Sequence, residues 1–128
     1  MFISLGKICV KPLEKVFGKL QTDEIILTYE RMKHIKKRHP QDWQFFRKYI
    51  NENIQDPDLI ITDEKHEGTI YMIKMGTDMN INVVVRIALE SDGSNLKNSV
   101  MTFYRIREKN MNKLIEKNRL LYKKGIVV

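Results

Sequence analysis

Two of the three histidines lie in one strongly basic segment, residues 31–40. Five cations accompany His34 and His39 there, and the segment contains no acidic residue. An imidazole exchanges protons near neutral pH, and fixed positive charge attracts phosphate. A protein that grips or cleaves a phosphodiester needs both properties. The basic segment therefore predicts chemistry directed at RNA.

The histidines differ in their expected surroundings. On a helix, His34 shares a polar face with Arg31 and Arg38, whereas His39 falls on the apolar face at the end of the helix. Either of these two is a candidate for proton transfer. His66 lies in an acidic turn and is interpreted as a plain surface residue.

The spacing of these side chains argues against a metal site. His34 and His39 are separated by about 140° around a helix, so they do not converge as a pair four residues apart does. The residues Pro-Asp at 57–58 and Asp-Glu-Lys at 63–65 resemble a motif of metal-dependent nucleases, but the gap between them is too short for the hairpin of that motif. We expect no metal and no other cofactor.

The length of 128 residues predicts a single domain, 1–128, that can bury a core without disulfides. The single cysteine, Cys9, excludes an intrachain disulfide and fits a reducing compartment. No apolar run approaches the ~18 residues of a membrane helix, and no signal peptide is recognisable. We therefore expect a cytoplasmic protein without a membrane partner.

The net charge of +7 is unevenly distributed. Residues 31–39 are purely basic, residues 97–124 are strongly basic, and residues 52–67 are mostly acidic. If the fold brings the two basic stretches together, they form an anion-binding face. If it does not, they are two separate solvated surfaces.

The hydrophobic pattern predicts helices first and a sheet afterwards. Thr28 is a good N-cap for a helix over 29–38, and Pro40 ends that helix and opens the next. We predict an α+β domain with the N-terminal helices on one face of a four- to five-stranded antiparallel sheet, and a further helix near the C-terminus. The predicted helices are 12–20, 29–38, 40–54 and 107–118, and the predicted strands are 2–10, 59–62, 69–75, 82–89, 99–106 and an edge strand at 120–122.

Strand alternation predicts which side chains face away from the helices. In strand 99–106, Met101 and Phe103 are the expected core pair, so Thr102 and Tyr104 point to the other face. Arg86 falls on that same face of its own strand. If the two strands pair, these three side chains line one polar patch. The alternative is that Thr102 and Tyr104 only favour strand structure and Arg86 is solvated.

Three short motifs occur in an order that resembles a known family. They are His-Ile-x-x-Arg-His-Pro at 34–40, Asp-Pro-Asp at 56–58 and Asn-Ser-Val-Met-Thr-Phe-Tyr at 98–104. This order resembles the phage-associated (PBECR-like) branch of the barnase, EndoU, colicin and RelE nuclease superfamily, over about 25–124. That superfamily consists largely of metal-independent ribonucleases, many of them toxins or proteins carried by phages and mobile elements.

The resemblance implies an endoribonuclease that cleaves RNA by acid/base catalysis with attack by the 2′-hydroxyl. It assigns proton transfer to His34 or His39, and the contribution of the sheet to Thr102 and Tyr104. Strand alternation adds Arg86, a cation suited to the charge that develops on the phosphorane. The residues expected to hold the RNA backbone are Lys37, Arg38, Arg105 and Lys109.

Two other functions stay open at this point. The same fold could serve as an RNA-binding module without catalysis, or as a partner-binding protein of a mobile-element system. The expected partners are RNA and, for a toxin-like protein, a cognate inhibitor or immunity protein.

Overall fold

The computed structural model describes residues 1–94 and 96–125, and this part of the chain contains four α-helices and seven β-strands. The α+β class is therefore as predicted. In chain order the elements are β1 (Phe2–Lys7), α1 (Lys11–Phe17), β2 (Glu24–Thr28), α2 (Tyr29–Arg38), α3 (Trp43–Gln55), β3 (Leu59–Thr62), β4 (Thr69–Met75), β5 (Asn80–Arg86), β6 (Asn98–Ile106), α4 (Glu108–Lys117) and β7 (Arg119–Lys123).

All seven strands form one sheet in the order β1-β2-β6-β5-β4-β3-β7. β2 pairs with β6 in parallel, and the other neighbours are antiparallel. The prediction of a four- to five-stranded antiparallel sheet is therefore wrong in its strand number and in this parallel pair. β2 was not predicted because Ile25, Ile26 and Leu27 are consecutive and all buried. It lacks the alternation that marks a strand with one solvated face.

Helices α1, α2 and α3 pack on one face of the sheet, which we call the α1–α3 face. Leu13, Ile35 and Ile50 of these helices join Val85 and Phe103 of the sheet in the larger hydrophobic cluster. Burial of these side chains supplies the main driving force for docking the helices on the sheet.

Helix α4 packs on the opposite face, which we call the α4 face. Met111 and Leu114 of α4 contact a second cluster that includes Ile73 and Ile106. Successive side chains of a strand point to opposite faces, and the sheet residues of this cluster alternate with those of the larger one. α4, the further helix predicted near the C-terminus, therefore lies on the face opposite to the N-terminal helices.

The ends of α2 and α3 are set by local hydrogen bonds. The Thr28 hydroxyl accepts a bond of 3.1 Å from the Arg31 amide, which confirms the predicted N-cap of α2. α2 ends at Arg38, before Pro40, as predicted. α3 begins at Trp43 and not at Pro40, because residues 40–42 form a turn in which the amides of Asp42 and Trp43 both donate to the carbonyl of residue 39.

A bulge in β6 changes its alternation. Val84 pairs with Thr102, but Val85 pairs with Val100, so Met101 is the extra residue. Phe103 is buried as predicted. Met101 is only partly buried, and Val100 takes the core position that was predicted for Met101.

Candidate active site

Arg86, Thr102 and Tyr104 lie on the α4 face. Val84 faces Thr102 and Asn82 faces Tyr104 in the β5–β6 ladder, and Arg86 is two residues further along β5 on the same side. The prediction that these three side chains share one face is confirmed. Their catalytic roles stay a prediction.

The guanidinium of Arg86 is held at the turn between β3 and β4. Its Nη1 donates to the carbonyl of Ile87 at 3.0 Å, and its Nη2 donates to Asp92 Oδ1 at 3.2 Å. The group lies against Gly68, which has a φ of 85° and leaves no space for a β-carbon. Arg86 remains 38% exposed, so it can contact a ligand from this position.

The same turn carries a hydrogen-bonded carboxylate and imidazole. His66 Nδ1 lies 2.9 Å from Asp63 Oδ2, and the hydroxyl of Tyr71 donates to that same oxygen at 2.9 Å. The amide of Lys65 donates to Asp63 Oδ1 at 2.9 Å. Because an ionised carboxylate can only accept, the imidazole carries its proton on Nδ1. In the neutral ring, Nε2 then has a free lone pair, as in a base that an aspartate orients.

The surroundings of Asp63 favour its ionised form. Burial raises the pKa of Asp63, but the hydrogen bonds from His66, Lys65 and Tyr71 outweigh it, so the pKa lies below the ordinary value. The carboxylate is 11% exposed and the imidazole 72% exposed. Asp63 is therefore a largely buried anion that holds an accessible imidazole.

Tyr71, which contacts this pair, and Tyr104 both lie on the α4 face. Burial and the hydrogen bond to Asp63 raise the pKa of Tyr71 far above its ordinary value, so the hydroxyl keeps its proton and donates it to Asp63. The hydroxyl of Tyr104 accepts a bond of 3.0 Å from the amide of the buried Asn82. Since its oxygen is the acceptor there, the Tyr104 proton can point at a bound phosphate.

The two histidines of the basic segment lie on the other side of the sheet. His34 is exposed on α2, in an open pocket of about 550 Å³ that it lines with Arg31 and Lys37. His39 is partly buried, with its ring centroid 6.1 Å from that of Phe103, which points to the α1–α3 face. The structure therefore brings neither His34 nor His39 together with the polar patch of Arg86.

The residues predicted to hold RNA are also divided. Lys37 and Arg38 are exposed on α2, and Arg105 joins them on the α1–α3 face through an ion pair of 2.9 Å with Asp42, in the α2–α3 turn. Lys109 is exposed in the first turn of α4. The fold therefore places Arg105 on the same face as the basic segment, whereas α4 carries Lys109 to the opposite face.

Comparison with known proteins decides the family. The model of PBECR2, the phage-Barnase-EndoU-ColicinE5/D-RelE like nuclease 2 family, matches residues 4–123. The chain belongs to the PBECR2 family. This confirms the resemblance drawn from the motifs, and the match also covers most of β1 and all of α1, which precede the span of that resemblance. Neither curated proteins nor solved structures gave a significant match.

Within residues 1–94 and 96–125, no three His, Cys, Asp or Glu side chains are grouped as potential metal ligands. In that same part of the chain, no helix has the length and apolar character needed to cross a membrane.

The sequence analysis did not predict the hydrogen-bonded group of Asp63, His66 and Tyr71. The sequence signal that could have identified this group is an Asp-x-x-His spacing at the end of one predicted strand, followed by a tyrosine in the next predicted strand. An Asp and a His three residues apart meet only if the intervening residues form a tight turn. Here the amide of His66 donates to the carbonyl of Asp63, and the amide of Thr69 donates to the carbonyl of His66.

Proposed function

We propose that the protein is a metal-independent endoribonuclease whose active site lies on the α4 face. The observation that carries the proposal is the pair formed by Asp63 and His66, on the same face as Arg86, Thr102 and Tyr104. It combines a base, a cation and hydroxyl donors, which are the groups that RNA transesterification requires. Membership in a nuclease family supports the same reading.

The groups fit attack by the 2′-hydroxyl on the adjacent phosphate. His66 Nε2 accepts the proton of the 2′-hydroxyl while the 2′-oxygen forms a bond to phosphorus. The bond from phosphorus to the 5′-oxygen breaks, and Tyr104 is the donor we assign to protonate the leaving oxygen. The products are a 2′,3′-cyclic phosphate and a free 5′-hydroxyl. Arg86 stabilises the charge that develops on the phosphoryl oxygens, and Thr102 offers them a further hydroxyl.

RNA is favoured over DNA because the substrate itself supplies the nucleophile. A base next to a cation is sufficient to activate a 2′-hydroxyl, whereas DNA has no such hydroxyl. We also propose that the protein acts in the cytoplasm, where RNA is present and Cys9 stays reduced. A cognate inhibitor or immunity protein stays a prediction.

The test uses purified protein and a single-stranded RNA in EDTA, beside the same sequence with 2′-deoxy sugars throughout. We expect the RNA to be cut and the deoxy strand to stay intact. Mass spectrometry should identify a 2′,3′-cyclic phosphate on the upstream fragment. Cleavage of the deoxy strand, or cleavage of RNA that requires added metal, would contradict the mechanism. Binding without cleavage of any RNA would favour the non-catalytic module.

A further inference from the structure

Helix α2 carries a dense set of cations that the proposed active site does not use. Glu30 is its single acidic residue. Among the salt bridges of the described residues, none involves a cation of this helix. The five cations are Arg31, Lys33, Lys36, Lys37 and Arg38.

Lys33, Lys36 and Lys37 are directed away from the core by the helical period, whereas Arg31 lies nearer the buried side and is only partly exposed. Ile35 is buried against the sheet, so residues about half a turn away face solvent. Lys33 and Lys37 are four residues apart and both are exposed, so they form one row on the outer surface. His34 and Arg38 form a second exposed row beside it.

This surface lies on the α1–α3 side and the proposed active site lies on the α4 side. A helix is about 10 Å across, and the sheet lies behind it, so one phosphate cannot contact both places. A longer strand can reach both by passing around an end or an edge of the sheet.

We propose that α2 is an accessory RNA-binding surface, which holds phosphates of the substrate strand away from the bond that is cleaved. This proposal rests on the proposed function only because it takes RNA as the ligand. Flexible, unpaired lysines in a row suit a repeating phosphate backbone, which binds by releasing counterions. Apart from Tyr29, which begins the first row, the two exposed rows contain no apolar or aromatic side chain, whereas the centre of a protein interface is enriched in them.

The test measures binding of a 2′-O-methyl RNA of about 20 nucleotides, which cannot undergo attack by a 2′-hydroxyl whichever residue is the base. The dissociation constant is measured between about 50 and 200 mM salt for the wild type and for the Lys33→Ala/Lys37→Ala variant. On a single strand, each phosphate contact adds about 0.7 to the steepness with which the log of the association constant falls against the log of the salt concentration. If Lys33 and Lys37 each contact one phosphate, this slope should be less steep by about 1.4 in the variant.

The matched control is Lys11→Ala/Lys15→Ala on α1, which removes two exposed lysines with the same spacing from the same side of the protein. It should change the slope far less. Combining Lys33→Ala/Lys37→Ala with Arg86→Ala should give additive losses in log K, because the two sites are far apart.

If the salt dependence of RNA binding changes equally in the α2 variant and in the α1 control variant, the proposal is overturned. Losses that are not additive with Arg86→Ala would also overturn it, because they would place α2 and Arg86 on the same phosphate. Since the ligand is not cleaved, the result is independent of whether the protein is a nuclease.

Discussion

The position of Arg86 can be tested through its neighbour Gly68. A β-carbon at residue 68 would lie 2.7 Å from Cζ of Arg86 and still closer to its Nη1. Carbon atoms approach to about 3.5–4.0 Å, so the guanidinium must move by roughly 1 Å or more in a Gly68→Ala variant. The side chain is flexible enough to do so, and the fold should therefore persist.

The expected loss of stability comes mainly from the backbone. Gly68 has a φ of 85°, where an L-residue costs about 1–2 kcal/mol. The ion pair of Arg86 with Asp92 is partly exposed and contributes less than about 1 kcal/mol. Activity should fall much further, because a misplaced transition-state donor costs about 10²–10³ in kcat.

The matched control is Gly18→Ala. Gly18 has a similar φ of 76°, but nothing lies within 4 Å of its added β-carbon. Urea denaturation and the rate of RNA cleavage are measured for both variants, and both should lose stability because of the positive φ while only Gly68→Ala loses activity. Equal cleavage rates in the two variants would refute the assignment of Arg86 to the active site.

Three further predictions concern the polar groups of the α4 face. Tyr104→Phe leaves the buried amide of Asn82 without its acceptor and should cost about 1–3 kcal/mol in urea denaturation, and unchanged stability would contradict the bond. The folded pKa of Asp63 lies below its ordinary ~3.9, so its contribution to stability is present above about pH 4 and is lost as the pH falls through the folded pKa. The stability difference between the wild type and Asp63→Asn should therefore shrink below about pH 4, and a constant difference would contradict this. In an absorbance titration, Tyr71 should ionise above the ordinary range of a tyrosine, and Tyr71→Phe should remove that high-pH component.

Local patterns in the sequence predicted the elements near the site well. The alternation of Arg86 in β5, and of Thr102 and Tyr104 in β6, placed all three on one face, because side chains of a strand alternate whatever the remainder of the fold does. The bulge at Met101 could not be predicted, since it depends on the register between two strands. It exchanged one core residue and left the polar face unchanged.

The choice of histidine is where the prediction from the sequence and the site proposed from the structure differ. Charge density drew attention to His34 and His39, but charge in a segment says nothing about which side of a sheet the segment will occupy. α2 packs on the face opposite to Arg86 because Ile35 must be buried there. His66 was interpreted as surface because its acidic neighbours are ordinary in a turn. Its bond to Asp63 exists only once β3 and β4 have paired.

Cleavage by single-histidine variants tests the central claim most directly. Wild-type protein is compared with His66→Ala, His34→Ala and His39→Ala on the same RNA in EDTA, after circular dichroism has shown that each variant is folded. Loss of a general base costs about 10²–10⁴ in rate. The His66→Ala variant should therefore lose cleavage by at least about 10²-fold, while His34→Ala and His39→Ala lose far less. Full activity in folded His66→Ala, with a loss in either of the other two, would move the active site to the α1–α3 face.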